Sequence, residues 1–269
     1  MNSTLRAMKP ASLGFVFVLG ANLVGCMDDT GSGLVEFQTV AGGPKDATSG
    51  EPYEFETAAG YHIKLERARL TIGALYLNRA KPILGAQDTS CVLPGLYAAE
   101  ATSGVVIDAL SPKLVAFDQP GRGTADRAYS GEVWLTGGDI DALEDRTRIL
   151  DFAGTATREG REFGFHGVIT IGQNRALGSS DPATPGANPI CKQRIVTPIA
   201  VDITPASNGR LVLRVIPKQW FSRVDFAALP GADTDPTDLE IPDTREDPVS
   251  NTLFHGLLSV DAYTFDFED

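Results

Sequence analysis

The side chains best suited to bind a transition metal are the three histidines, His62, His166 and His255. Imidazole nitrogens bind zinc, copper and nickel, usually together with a carboxylate or a thiolate. No two of these histidines lie at the short spacing at which one strand or helix presents two ligands to the same ion. His62 and His166 stand inside strand patterns, where a partly buried histidine is ordinary. The sequence therefore predicts no metal site and no cofactor.

An acidic segment between residues 230 and 250 offers the oxygen ligands that Ca²⁺ prefers. The segment lacks the Asp-x-Asp-x-Asp-Gly pattern with a distal Glu, and four prolines recur through it. We interpret it as an extended surface loop and leave calcium binding open as the alternative. Its acidic side chains are Asp233, Asp235, Asp238, Glu240, Asp243, Glu246 and Asp247.

Motifs for nucleophilic, phosphate-binding and zinc-dependent catalysis are missing from the sequence. It contains no Gly-x-Ser-x-Gly, no Gly-x-x-x-x-Gly-Lys and no His-Glu-x-x-His. We therefore predict no catalytic residue, and an enzyme with an unfamiliar site remains an open alternative. The two tryptophans lie in apolar runs. Trp134 is predicted to be a core residue, and Trp220-Phe221 is either core or, alternatively, a platform for a ligand or partner.

The N-terminus has the features of an export signal. Arg6 and Lys9 precede an uncharged apolar run that ends in Leu23-Val24-Gly25-Cys26. The run is too short to span a bilayer, for which about 20 residues are needed, and it has the length of a signal-peptide core. The ending resembles the lipobox of bacterial lipoproteins. The resemblance implies a diacylglycerol on Cys26 and cleavage before it; the alternative is an ordinary secretory signal.

The resemblance also implies an address in the cell envelope. Several acyl chains on the N-terminus give stable membrane attachment. Met27 follows the cysteine, whereas an Asp at that position favours retention in the inner membrane, so we expect the outer membrane. The formal net charge of −12 argues against nucleic acid as a partner and against electrostatic docking on anionic lipid. We therefore expect the lipid that the resemblance implies on Cys26 to provide the membrane attachment.

Lipidation of Cys26 would leave Cys91 and Cys191 as an even pair in an oxidising compartment. A structural disulfide between them follows from that environment. The bridge would close a loop of about 100 residues and contribute about 4 to 5 kcal/mol in the chain-entropy model. Neither cysteine belongs to a Cys-x-x-Cys motif, which disfavours a redox or metal role.

Short alternating runs separated by glycine and proline predict an all-β fold, an antiparallel β-sandwich with a β-barrel as the alternative and little helix. Alternation changes parity near Glu66-Arg67, which predicts a β-bulge or a switch between sheets. Hairpins are predicted at Glu159-Gly160 and at Asn208-Gly209. A strand is predicted at 253–258, short helical turns at 139–144 and 219–226, and long loops at 118–128, 177–190 and 230–250.

The predicted organisation is a signal peptide (1–25), a lipidated tether (26–33) and a single β-rich domain (34–269). The domain is similar in general layout to β-rich envelope lipoproteins of bacteria. Without catalytic motifs, but with long loops and an anchor, the sequence favours a non-catalytic binding or structural role in the cell envelope. The expected partner is an envelope protein or a polysaccharide. The alternative is a periplasmic protein that binds a metal or a small ligand.

Overall fold

The computed structural model describes residues 33–80, 97–135, 145–171 and 194–268, which all belong to one compact unit, Ser32–Asp269. The signal peptide and residues 26–32 of the tether lie outside the described residues, as do the predicted helical turn at 139–144 and the loop at 177–190. Among the described residues, no helix is both long enough and apolar enough to cross a membrane.

Fifteen strands and one α-helix make up most of the regular structure of the described residues. The helix, α1, spans Pro248–Leu257. The strands are β1 (Leu34–Gly42), β2 (Tyr53–Glu56), β3 (His62–Ile72), β4 (Ala74–Asn78), β5 (Tyr97–Ala101), β6 (Val105–Asp108), β7 (Val115–Ala116), β8 (Gly121–Thr124), β9 (Ala128–Trp134), β10 (Asp145–Arg158), β11 (Arg161–Ile171), β12 (Ile195–Ile203), β13 (Arg210–Val215), β14 (Leu239–Ile241) and β15 (Tyr263–Glu268).

The strands form two sheets, which confirms the predicted all-β fold with little helix. The larger sheet has the order β12-β9-β4-β5-β8-β1-β13-β15, with β7 also paired to β1. Its end strands, β12 and β15, contact each other, so this sheet is nearly closed and barrel-like. The smaller sheet has the order β14-β11-β10-β3-β2, with β6 paired to β3. The described pairings are antiparallel except for β1 with β13 and β11 with β14.

A β-bulge in β3 confirms the parity change that the sequence predicts. The register with β10 pairs Leu65 with Gly154 and Arg67 with Ala153, so Glu66 is the extra residue. Leu65 is buried before the bulge and Ala68 after it, so both halves of the strand keep an apolar face toward the core. The chain passes to the other sheet six residues after Arg67, at Gly73, between β3 and β4.

One of the two predicted hairpins forms and the other does not. Glu159 and Gly160 take positive φ angles of 53° and 77° in a two-residue turn between β10 and β11. Asn208 also has a positive φ, of 68°, but the strands on either side of it do not pair. The hairpin prediction there is wrong because β12 pairs with β9, whereas β13 inserts between β1 and β15.

Residues 253–258, predicted as a strand, are mostly helical. Asp247 caps α1 by accepting a hydrogen bond from the backbone N–H of Ser250 at 2.7 Å, and Pro248 occupies the first turn. The helix buries Val249, Leu253 and Phe254 on one face. This face has helical spacing, which a short window beginning at Leu253 does not reveal.

Aromatic rings fill the core between the sheets. Phe221 lies 5.5 Å from Phe165 and 5.8 Å from Phe152, measured between ring centroids, and Phe226 lies 4.6 Å from Phe165. These rings and Trp220 are fully or almost fully buried. Trp220-Phe221 is therefore core, and the alternative of a surface platform is wrong for these side chains. The short helical turn predicted at 219–226 is replaced by two 3-10 turns at its ends, Pro217–Gln219 and Phe226–Ala228.

Candidate binding cleft

A cleft forms where the chain crosses twice between the two sheets. The first crossing, at Gly73, joins β3 to β4, and the Gly73 backbone N–H donates to the Trp134 carbonyl at 2.8 Å. The second crossing, at Gly104, joins β5 to β6 with a positive φ of 70°. A Cβ atom at Gly104 would lie 3.2 Å from the Ile72 carbonyl oxygen, so the two crossings approach closely. The space beside them is an open cleft.

The cleft has a volume of about 730 Å³, which is enough for a small organic ligand. Apolar side chains supply much of its described surface, from Val105 and Val106 on β6, Val115 on β7, and the rings of Tyr76 and Trp134. Val106 is half exposed at the surface. The cleft therefore offers apolar contact area that solvent reaches directly.

Polar groups line the same cleft. The hydroxyl of Thr71 donates to the Arg148 carbonyl at 2.9 Å, and that of Ser103 accepts from the Gln119 backbone N–H at 3.1 Å. Thr102 and Asp118 are exposed. Asp118 is the one charged side chain among the described residues that line the cleft.

Two aromatic rings that line the cleft, Tyr76 and Trp134, belong to a cluster that also includes Tyr97. Tyr76 on β4 is 4.5 Å from Tyr97 on β5 and 4.9 Å from Trp134 on β9, measured between ring centroids. Both contacts are tilted, an arrangement that aromatic pairs favour over a face-to-face sandwich. Tyr76 and Trp134 thus form a braced pair of rings whose positions are set by neighbouring strands of one sheet.

The prediction that Trp134 is buried is correct, but its surroundings differ from the main core. Its side chain is 4% exposed and packs with Ala74 and Ile195 in a small separate cluster. On β9, the neighbouring Val133 faces the main core instead. Since successive side chains of a strand point to opposite faces, Trp134 occupies the outer face of the larger sheet.

A buried carboxyl group holds Trp134 in place. Glu132, 4% exposed, accepts a hydrogen bond from Trp134 Nε1 at 3.0 Å through Oε2. Its other oxygen accepts from Asn78 Nδ2 at 3.0 Å and from the Thr197 hydroxyl at 3.5 Å. Burial raises the pKa of the Glu132 carboxyl, and these three hydrogen bonds offset that effect only in part. Glu132 is a positioning residue for the aromatic side of the cleft.

Negative charge flanks the aromatic rings. Tyr76 lies opposite Glu100 on β5 and Glu132 on β9 in the strand register. Burial, followed by the charge of Glu100 and the neighbouring Tyr97 and Glu132, raises the pKa of Tyr76 to about 12. The apolar surroundings and the nearby carboxyl groups both disfavour the charged form of Tyr76.

The three histidines lie apart, in different surroundings. Both ring nitrogens of His62 face carboxylates, Glu56 at 3.0 Å and Glu54 at 3.5 Å, while His166 lies 3.2 Å from Asp238. His255 is on α1, with its ring against Phe254. The described residues contain no group of three or more His, Cys, Asp or Glu side chains arranged to hold a metal ion.

The acidic segment is more ordered than the predicted extended loop, because it contains β14 and the start of α1. Its carboxylates have separate structural partners. Asp233 pairs with Arg161 at 3.0 Å, Asp243 accepts from Thr170, and Asp247 caps α1. Carboxylates that point toward different partners do not converge on one ion, and the described residues give the calcium alternative no ligand cluster.

Cys26, Cys91 and Cys191 lie outside the described residues, so lipidation and the disulfide remain predictions. No family model, curated protein or solved structure matches the chain.

The sequence did not identify the cleft. The sequence predicts Trp134 only as a core residue, although Glu132 within the same apolar run is a usable signal. A glutamate within an apolar run must either face solvent or find hydrogen-bond donors when buried. Asn78, which supplies one of those donors, is distant in sequence, and its contact with Glu132 depends on the pairing of β4 with β9.

Proposed function

We propose that the protein is a lipid-anchored lipoprotein of the cell envelope with a non-catalytic binding role, and that the cleft beside Tyr76 and Trp134 is its binding site. The N-terminal sequence up to Cys26 supports the anchor. The observation that carries the binding role is the cleft itself, an open space of about 730 Å³ with apolar walls, hydroxyl groups and aromatic rings.

A binding role agrees better with the chemistry of the cleft than catalysis does. Among the described residues lining it, Asp118 is the one ionisable side chain other than tyrosine. The nearby carboxyl of Glu132 is already engaged by three hydrogen-bond donors from its own sheet. Neither residue has the paired acid and base arrangement that hydrolytic chemistry requires.

The size of the cleft suits a small ligand, or one chemical group of a larger envelope component, rather than a broad protein interface. A stable protein interface buries about 800 Å² on each partner, whereas a cleft of this kind encloses a compact group. We propose the outer membrane as the location, because Met27 and not an Asp follows Cys26.

Photo-cross-linking in the native cells tests the binding site. A photoreactive amino acid at Val106, half exposed on the rim, is expected to capture an envelope component. The same group at Val260, which is 37% exposed and does not line the cleft, is the matched control. Equal capture at both positions, or none at Val106, would contradict the proposed site.

The anchor has its own test. Cys26→Ala is expected to release an exported, soluble protein, and radiolabelled palmitate is expected to label the wild type but not the variant. A variant that stays in the membrane fraction would show that attachment does not depend on this cysteine.

A further inference from the structure

The aromatic side of the cleft has properties that bear on the class of its ligand. Tyr76 and Trp134 are held 4.9 Å apart and both line the cleft. Aromatic faces carry partial negative charge and attract cations within about 6 Å of the ring centroid. Tryptophan is the strongest of these rings, and tyrosine follows it closely.

Charged groups near the cleft reinforce that preference. Asp118 lines it and Glu100 lies beside Tyr76 on the next strand, and both side chains are exposed. Neither makes an ion pair with any other residue in the described part of the chain. Arg122, the cross-strand neighbour of Glu100, directs its guanidinium to Glu36 at 3.8 Å. No described Lys or Arg side chain lines the cleft.

We propose that the cleft binds an organic cation, a quaternary ammonium or alkylammonium group seated against the Tyr76 and Trp134 rings and near the Asp118 carboxylate. This inference rests on the proposed function, because it names the ligand class of the same site. The apolar side chains of Val105, Val106 and Val115 contact the alkyl groups, while the carboxylate and the rings compensate the positive charge.

Other ligand classes fit the lining less well. An anion would meet Asp118 and two neighbouring glutamates with no described cationic side chain in the cleft to pair with it. A neutral sugar stacks on a broad exposed ring face, whereas Trp134 is 4% exposed and Tyr76 is partly buried. A compact cation needs a smaller area of ring face than a stacked sugar does.

Binding is measured with choline chloride against the full lipidated protein, purified in a polyoxyethylene detergent that carries neither charge nor sugar. The reference ligand is 3,3-dimethyl-1-butanol, which has the shape of choline without its charge. Trp220→Phe leaves Trp134 as the only tryptophan, so saturable changes in fluorescence report on the cleft. Because Trp220 is buried in the core, saturation-transfer NMR on the wild type provides a second readout that needs no core substitution.

We expect choline to bind saturably and the neutral analogue to bind at least tenfold more weakly, a difference of about 1.4 kcal/mol. Glycerophosphocholine is the third ligand. If choline binds and glycerophosphocholine does not, the natural ligand is a free quaternary ammonium compound. If both bind, the natural ligand is a lipid headgroup. Equal binding of choline and the neutral analogue, or no saturable binding of choline, would overturn the proposal.

Variants locate the bound cation. Asp118→Asn is expected to weaken choline binding about three- to fivefold, as for a partly exposed charge contact, and Tyr76→Leu to weaken it about tenfold. Tyr76→Phe keeps the ring and should retain binding. Asp261→Asn, an exposed acid away from the cleft, is the control. Choline binding that is unchanged in both Asp118→Asn and Tyr76→Leu would also overturn the proposal.

The two proposals fail in different ways. Capture of an envelope component at Val106 without choline binding would overturn only the cation as the ligand class. Absence of both capture and choline binding would overturn the cleft as a binding site.

Discussion

Trp134 donates its indole N–H to the Glu132 carboxylate at 3.0 Å, and both residues lie on the outer face of β9, two positions apart. The contact joins a hydrogen-bond network inside the larger sheet to the surface of the cleft. Any change in the Glu132 carboxyl is therefore expected to alter both the stability of the sheet and the position of the Trp134 ring.

Replacement of this carboxyl by an amide is predicted to destabilise the protein. Glu132→Gln retains one acceptor oxygen but places an NH₂ group against the Trp134 or Asn78 donor, which leaves a buried donor unpaired. The expected loss in free energy of unfolding is about 1 to 3 kcal/mol, measured by chemical denaturation. Glu100→Gln, an exposed glutamate two strands away, should change stability by less than about 0.5 kcal/mol. Similar losses for both variants would contradict a specific role for Glu132.

The pH dependence of the free energy of unfolding should also reflect the Glu132 carboxyl. The pKa of Glu132 is raised in the folded state, so folding favours the protonated carboxyl. Its stabilising contribution is fully present below the pKa in the unfolded chain and is lost as the pH rises through the folded value. The difference in unfolding free energy between wild type and Glu132→Gln should therefore decrease from about pH 4 upward.

Asn78 supplies a possible partner for the proton. Its Oδ1 atom is buried and has no hydrogen-bond partner among the described residues, while its Nδ2 donates to Glu132. Rotation of this amide would place an acceptor against a protonated carboxyl. A difference between wild type and Glu132→Gln that stays constant from about pH 4 to pH 8 would show that folding does not raise the pKa of this carboxyl.

A close approach between β11 and the acidic segment can be tested at Gly164. A Cβ atom there would lie 2.1 Å from the Thr237 carbonyl oxygen, and the Gly164 N–H donates to the Pro236 carbonyl at 2.8 Å. Gly164→Ala is expected to cost about 1 to 3 kcal/mol, because backbone must move to admit the methyl group. Gly33→Ala is the matched control for thermal unfolding, because a Cβ atom there would lie more than 4 Å from every described residue other than its chain neighbours. Equal melting temperatures would contradict this contact.

The strand alternation and the Glu159-Gly160 turn could be predicted because they depend on local residue preferences and on one buried face per strand. The Asn208-Gly209 hairpin failed for a nonlocal reason. Asn208 has the expected positive φ, but β13 pairs in parallel with β1 instead of forming a hairpin with β12. The cleft could not be predicted for the same reason, since Trp134 and Val106 line it together only because the chain crosses twice between the sheets.

Helix α1 shows how a local signal can still be misread. The strand prediction at 253–258 relied on a short apolar run and overlooked Asp247-Pro248, a cap followed by a first-turn proline. Asp247→Ala is predicted to destabilise the protein by about 0.5 to 2 kcal/mol, because the Ser250 N–H loses its acceptor. Asp261→Ala, an exposed acid beyond the helix, is the control in the same denaturation series. A smaller effect at Asp247 than at Asp261 would contradict the capping role.

A disulfide between Cys91 and Cys191 remains a prediction from the sequence. If Cys26 carries lipid, export would leave these two thiols as partners for each other. Mass spectrometry of the protein digested without reduction is expected to find their peptides cross-linked. Single serine substitutions at either position should lower the free energy of unfolding by about 4 to 5 kcal/mol in the loop-entropy model. Alkylation of both thiols without prior reduction would contradict the bridge, and would also remove one reason to place the domain in an oxidising compartment.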